Sequence, residues 1–172
     1  MARPFTIETP TVQDAVGIAT VHTQGWREAY GHLLPESFYD EATRQRRIAG
    51  WTRTLSNPDD PLTTLIARDP GGAVVGVATV GPAEEDEQFP AVCTEQLYML
   101  YILAEHYGTG VGQQLLDVIL GDRPAQLWVA RDNPRACSFY RRNGFVPDGT
   151  VKIDARLDDL AEIRMVRRSG EG

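Results

Sequence analysis

The chain has 172 residues, 42% of them hydrophobic and 24% charged, with a net charge of −7. That suffices for one sizeable apolar core in a globular domain, and it excludes several classes: no run of about 18 apolar residues crosses a bilayer, "MARPFTIETP" lacks a signal-peptide core, and clustered basic charge for a nucleic-acid backbone is missing. Cys93 and Cys137 stand at no metal-ligand spacing, so the expectation is a single cytoplasmic domain over residues 1–172, with no metal and no nucleic-acid or membrane partner.

"FTIET" alternates apolar and polar residues as a strand does, and Thr11 is placed to cap a helix in which Val12, Ala15, Val16 and Ala19 recur at helical spacing. A second helical region, "PESFYDEATRQRRIAGWTRTL", puts Ile48, Trp51 and Leu55 on one face before "SNPDDP" ends it. "LTTLIARD" and "AVVGVATVG", joined by "PGG", predict an antiparallel hairpin. After the polar loop "PAEEDEQFPA", the apolar run "EQLYMLYIL" predicts a strand buried on both faces. "GVGQQLLDVIL" is helical until Gly121, "AQLWVA" is a short strand, and "NPRACSFYRRNG" is a helix with Asn133 as cap, Pro134 at its first position and Gly144 as terminator. Two more strands begin at "FVPDG" and run through "AEIRMVRR". The order βα(α)βββαβαββ defines an α+β domain around a mixed sheet.

Gly108, Gly110 and Gly112 lie between the fourth strand and the helix after it. Bare backbone there exposes unpaired N–H groups beside the positive end of a helix dipole, which makes an anion site; a tight turn that binds nothing is the alternative. The dinucleotide fingerprint needs Gly-x-Gly-x-x-Gly in the first βα unit, and a phosphate-binding NTPase loop needs Gly-Lys-Ser/Thr. Here the spacing is Gly-x-Gly-x-Gly and the helix opens Gly112-Gln113-Gln114, so both nucleotide readings weaken.

These residues resemble the GNAT superfamily of N-acetyltransferases, in particular its small bacterial members. The family binds acetyl-coenzyme A through Arg/Gln-x-x-Gly-x-Gly/Ala, matched here by Tyr107, Gly108, Thr109, Gly110, Val111 and Gly112, with Tyr107 departing from the usual Arg or Gln. A second signature, Asn-x-x-Ala-x-x-Phe-Tyr-x-x-x-Gly-Phe, is matched at Asn133, Ala136, Phe139, Tyr140, Gly144 and Phe145, and "DAVGIATVHTQGWREAYGHLLP" is similar to the family's first helices. The resemblance implies a mostly antiparallel sheet flanked by helices and splayed between its fourth and fifth strands. It also implies acetyl-CoA as co-substrate and no metal. Pantetheine would lie along Leu100, Tyr101 and Ile102, with a backbone N–H near Ile102 facing the acetyl oxygen; the pyrophosphate would lie on residues 107–113, Gln113 included. Asn133 would hold pantetheine, and Tyr140 would supply a proton to the departing thiolate.

The implied reaction is direct attack by a primary amine on the thioester in a ternary complex. Many relatives carry a glutamate six residues before the position of Ile102; here that residue is Gln96, whose amide takes up no proton. Glu95 adjoins it but points to the other face of a pleated strand, and Glu28 belongs to the first helix, so deprotonation through water is the expectation. The acidic run at residues 84–87 and the net charge favour a cationic acceptor. Polyamines, aminoglycoside-like drugs, amino acids and peptide N-termini all stay open, as do a homodimer and a noncatalytic acyl-CoA binding or sensing module. His22 and His32 read as bases or, more in keeping with their places in the chain, as surface or packing residues, the Trp26–Tyr30 pair as part of an acceptor pocket or a packing pair, and His106 as a partial substitute for the missing basic residue of the loop.

Overall fold

The computed structural model describes residues 4–170; the ends of the expected domain, residues 1–3 and 171–172, lie outside the described residues. Along the chain run β1 (Thr6–Glu8), α1 (Ala15–Tyr30), α2 (Glu41–Leu55), β2 (Thr63–Arg68), β3 (Val74–Pro82), β4 (Glu95–Ile102), α3 (Val111–Ile119), β5 (Ala125–Ala130), α4 (Pro134–Arg142), β6 (Val146–Asp154) and β7 (Leu160–Arg167). This is the predicted order. The strands join as β1-β2-β3-β4-β5-β7-β6, with β4 and β5 parallel and the β1–β2, β2–β3, β5–β7 and β6–β7 pairs antiparallel. No helix among the described residues is long and apolar enough to cross a membrane. Contacts divide the chain into two compact units, one running through Val80 and resuming over Met99–Gly121, the other formed by Gly81–Tyr98 and the chain from Asp122 onward.

In the first unit, α1 begins later than the sequence suggests. Thr11 opens a short 3-10 turn, Val12–Asp14, and its N–H donates to the Asp14 carboxylate at 2.8 Å. Arg68 also donates to Asp14, at 2.6 Å; burial pushes the Asp14 carboxyl up, but these bonds hold it below its ordinary value. The buried stripe of α1 is Ala15, Ile18, Ala19 and Val21, whereas Val12 and Val16 remain 46% and 50% exposed. The expected face is therefore half right: Ala15 and Ala19 are buried, but Val16 is two residues, about 200° of helix rotation, from Ile18, and the 3-10 turn takes Val12 out of the α period.

Asp40 caps α2 by accepting from the Thr43 N–H, and Ile48, Trp51 and Leu55 pack onto a core containing Ile18, Ala19, Ile66 and Val77. Gly25 lets α1 lie close on β4, since a Cβ there would sit 3.0 Å from the Tyr101 Cβ. β4 itself is less buried than its run of apolar residues predicts: Gln96, Leu97 and Ile102 are buried and its other residues are partly exposed.

His22, half-buried, packs against this core. Its Nδ1 accepts from Trp51 Nε1 at 3.3 Å and its ring stacks on Tyr101 at 5.5 Å. Burial, reinforced by the Arg47 cation, lowers its pKa from 6.5 to about 3. The unfolded chain therefore binds a proton below about pH 6.5 that the folded chain refuses until about pH 3, and stability falls as pH drops through that window, by at most about 1.4 kcal/mol per pH unit. Urea unfolding at pH 7 and pH 5 should show a smaller loss for His22→Gln than for the wild type. An equal loss would mean that the imidazole already ionises in the fold.

In the second unit the β4–β5 ladder consists of Gln96↔Gln126 and Leu97↔Leu127, short as a splay between these strands requires. Leu127 pairs with Met165 across β5 and β7, both buried, while the next pair, Trp128↔Arg164, points to the opposite face, as does Lys152↔Glu162 between β6 and β7. One face of this part of the sheet is therefore aliphatic, and the other is aromatic and charged.

Candidate active site

The first unit carries the glycine loop. Beyond β4, Leu103 N–H donates to Val75 O at 3.0 Å, and a 3-10 turn follows over Ala104–His106. Glu28 reaches this turn from α1: one carboxylate oxygen accepts the Ala104 N–H at 2.6 Å and the other accepts from Gln24 at 3.0 Å. Glu28 thus fixes the entry to the loop. Thr109 Oγ1 closes the loop by donating to His106 O at 2.6 Å, and the His106 ring meets Phe5 edge-on at 5.5 Å.

Gly108 and Gly110 have φ of 77° and 86°, the left-handed region that side chains disfavour, and a Cβ on either would meet nothing within 4 Å. These glycines serve the curl of the backbone, and open space lies before it. Gly112 differs, being in the first turn of α3 without a positive φ. At the start of α3, Gln114 N–H donates to Gly110 O at 2.9 Å and Val111 N–H to the Thr109 hydroxyl at 3.4 Å. Backbone donors at a helix N-terminus behind open space form an anion-binding geometry. Tyr107 and Gln113 flank it; Leu100 and Tyr101 are partly exposed on β4 and Ile102 is buried.

Trp26 and Tyr30 pack edge-to-face at 5.1 Å with the Arg47 guanidinium over the indole, whose buried N–H has no partner among the described residues. His32 is exposed.

The second unit carries α4, Glu95 and Gln96. Asn133 caps α4, its side-chain oxygen accepting from Ala136 N–H at 3.2 Å with Pro134 behind it. At the other end, Phe145 N–H returns to Tyr140 O at 3.0 Å and Gly144 N–H to Arg141 O at 3.1 Å, with Gly144 at φ 85°, a Schellman stop. The fully buried Phe145 meets the Tyr140 ring at 5.8 Å, and Phe139 meets it at 5.4 Å, leaving Tyr140 only 8% exposed. The second signature thus encodes a helix cap, a helix stop and the seating of one tyrosine.

Neither candidate base, Glu28 or Glu95, is disengaged, and nor is Gln96 at the position of the relatives' glutamate. Glu95 is held by Arg123 through two bonds of 2.9 Å. Gln96 is buried, its oxygen accepting from Gln126 Nε2 at 2.9 Å and from Glu84 N–H at 3.3 Å. Gln126, fully buried, accepts the N–H groups of Val92 and Cys93 at 2.8 and 3.3 Å. This amide pair ties down the loop from residue 84 to residue 93 at both ends. Sequence reasoning missed Gln126, although a polar residue inside the run "AQLWVA" is a signal for it. Gln126→Leu strands two backbone donors and should cost about 2–3 kcal/mol in chemical denaturation; a loss below about 0.5 kcal/mol would mean that water replaces the amide.

The anchored loop roofs a cavity of about 180 Å³ whose lining includes Glu84, Asp86, Phe89, Trp128, Lys152 and Asp154. Arg164, over the Trp128 ring at 5.5 Å, is bonded to Asp148 at 2.6 Å, Pro90 O at 2.9 Å and Thr150 at 3.2 Å. Among the described residues no group of three or more His, Cys, Asp or Glu side chains is placed to hold a metal.

Residues 60–147 match the family model described as an acetyltransferase (GNAT) domain, and the chain belongs to that family. It is 27% identical over 143 residues to YuaI, an uncharacterized N-acetyltransferase of Bacillus subtilis, covering 79% of this chain and 77% of that protein. It is 34% identical over 111 residues to the mycothiol acetyltransferase of Propionibacterium freudenreichii, covering 61% of this chain but only 32% of that longer protein. Among solved structures, the PaiA N-acetyltransferase of Thermoplasma acidophilum in complex with coenzyme A shares the fold, with a TM-score of 0.70 at 19% identity over 98% of this chain and 99% of that one.

Proposed function

We propose that this protein moves an acetyl group from acetyl-CoA to the primary amine of a small molecule or a peptide N-terminus, by direct attack in a ternary complex. The observation that carries the reading is the curled loop of Gly108 and Gly110 at the N-terminus of α3, whose backbone fits a pyrophosphate and whose missing side chains leave room for it. Bound acetyl-CoA supplies an activated thioester. Residues 107–113 hold its phosphates through main-chain N–H groups, with Tyr107 contributing no cationic contact. Leu100, Tyr101 and Ile102 present backbone to pantetheine, the Ile102 region giving an N–H to the acetyl oxygen, and Asn133 adds an amide contact. Tyr140 donates a proton to the departing sulfur.

The engagement of Glu95 by Arg123, of Gln96 by Gln126 and of Glu28 by Ala104 favours proton loss from the amine through water. An amine of pKa near 10 is about 0.1% neutral at pH 7, so turnover should rise with pH along with the free amine. Glu95→Gln and Glu28→Gln should keep that profile. Glu28→Gln should instead raise KM for acetyl-CoA about 3- to 10-fold by loosening the loop entry. A loss above about 100-fold in kcat for either variant, with binding intact, would make that glutamate the base. The whole reading is tested by free-thiol release from acetyl-CoA across an amine panel, with products identified by mass. Coenzyme A binding without thiol release above the spontaneous rate would leave a noncatalytic acyl-CoA sensing module instead.

A further inference from the structure

The face of the sheet that bears Trp128 is chemically odd. Sheet faces in a small domain are apolar when covered and simply polar when open, whereas this one sets an indole among buried or half-buried charges beneath an anchored loop. The Lys152 ammonium rests on the Trp128 ring, 4.3 Å from its centroid, and 3.9 Å from the Glu162 carboxylate of the adjacent strand. Phe89 closes the ring edge at 5.5 Å. Glu84 and Asp86, from the acidic run, line the cavity together with Asp154 and Arg156. Two Asp86 bonds, to Gln88 N–H at 2.8 Å and Phe89 N–H at 3.2 Å, hold the loop in place over the cavity.

The cationic side chains of this site are spoken for: Arg156 is paired with Asp154, and Arg164 with Asp148. Lys152 lies over the Trp128 ring at 4.3 Å, closer than the paired Arg164 guanidinium at 5.5 Å, and stands at the outer limit of an ion pair with Glu162. Burial, aided by the neighbouring Asp154, pushes the Glu162 carboxyl up, and the Lys152 and Arg156 cations offset this only in part. An aromatic face, carboxylates around it and a cavity of a few heavy atoms are the parts that recognise an alkylammonium group.

We infer that the cavity between Trp128 and the loop bearing Glu84 and Asp86 binds an aliphatic primary ammonium group of the acceptor, and that Lys152 is a tethered stand-in which that group displaces. This rests on the acetyltransferase reading for the identity of the ligand as acceptor, and on the cavity alone for its chemistry. A short diamine fits best: one ammonium takes the place of the Lys152 ammonium while the other stays outside the carboxylate wall, and the cavity is too small for a folded peptide segment. A lysine side chain has the same chemistry, and the test separates the two.

The probes are 1,4-diaminobutane and a blocked lysine peptide, measured by calorimetry and thermal melting without coenzyme and by thiol release with acetyl-CoA. Trp128→Leu should weaken diamine binding about 10-fold and Glu84→Gln about 3-fold, while Lys152→Met should strengthen it about 3- to 10-fold. Millimolar diamine should raise the melting temperature of Lys152→Met more than that of the wild type, by supplying the missing cation beside Glu162. Absent diamine binding, or binding that none of the three variants changes, overturns the proposal even where thiol release persists. Preference for the peptide over the diamine overturns the small-molecule assignment. Trp128-dependent binding without thiol release keeps the ammonium site and defeats the acetyltransferase reading for this amine.

Discussion

Gly110→Glu is expected to weaken coenzyme A binding by about 100-fold or more in a protein that still folds. Two effects add. At φ of 86° a residue with a Cβ is strained by about 1–2 kcal/mol, although nothing within 4 Å would clash with it. The larger effect is electrostatic, because the new carboxylate enters the space where main-chain donors and the α3 dipole favour an anion, and it competes there with the phosphates. Gly110→Asn separates the two, since asparagine tolerates the left-handed region and adds no charge; it should cost less than about 10-fold. Calorimetric titration with coenzyme A, run beside thermal melts of each variant, measures both. Unchanged affinity in folded Gly110→Glu would move the pyrophosphate away from this loop.

The element order was legible because turn residues separate nearly every strand from the next element. "PGG", "SNPDDP" and the Asn133-Pro134 and Gly144 pair each have one local meaning, and the structure uses each as read. The face of α1 was legible only at Ala15 and Ala19, because two apolar stripes share that helix and only the packing of α2 and the sheet selects the one bearing Ile18. Of the three loop glycines, spacing alone cannot say which need a positive φ; Gly108 and Gly110 do, and Gly112 does not. The partners of the glutamates were invisible for a different reason. Glu28 meets Ala104, and Glu95 meets Arg123, across long stretches of chain, so the pleat of a strand predicts where Glu95 points but not what holds it. Gln96 and Gln126 acquire meaning only once the parallel register sets them side by side, and the charged face around Trp128 only once β5, β7 and β6 are paired.

Tyr140→Phe is expected to keep acetyl-CoA binding within about 2-fold and to slow the chemical step by about 10- to 10³-fold, the range for losing one general acid. Phenylalanine retains the ring that Phe139 and Phe145 hold, and the Schellman stop at Gly144 depends on the backbone, so α4 should stay in place. Loss of the hydroxyl from a residue only 8% exposed should cost about 1 kcal/mol of stability, which a denaturation curve bounds. Single-turnover measurement isolates chemistry from product release. A second comparison tells proton donation from packing: with an acetyl thioester of a more acidic thiol, whose sulfur leaves without help, the gap between the variant and the wild type should shrink toward unity. A gap that is equally wide with both thioesters would mean that the hydroxyl positions the donor and protonates nothing. Equal single-turnover rates with acetyl-CoA itself would confine Tyr140 to the packing between Phe139 and Phe145.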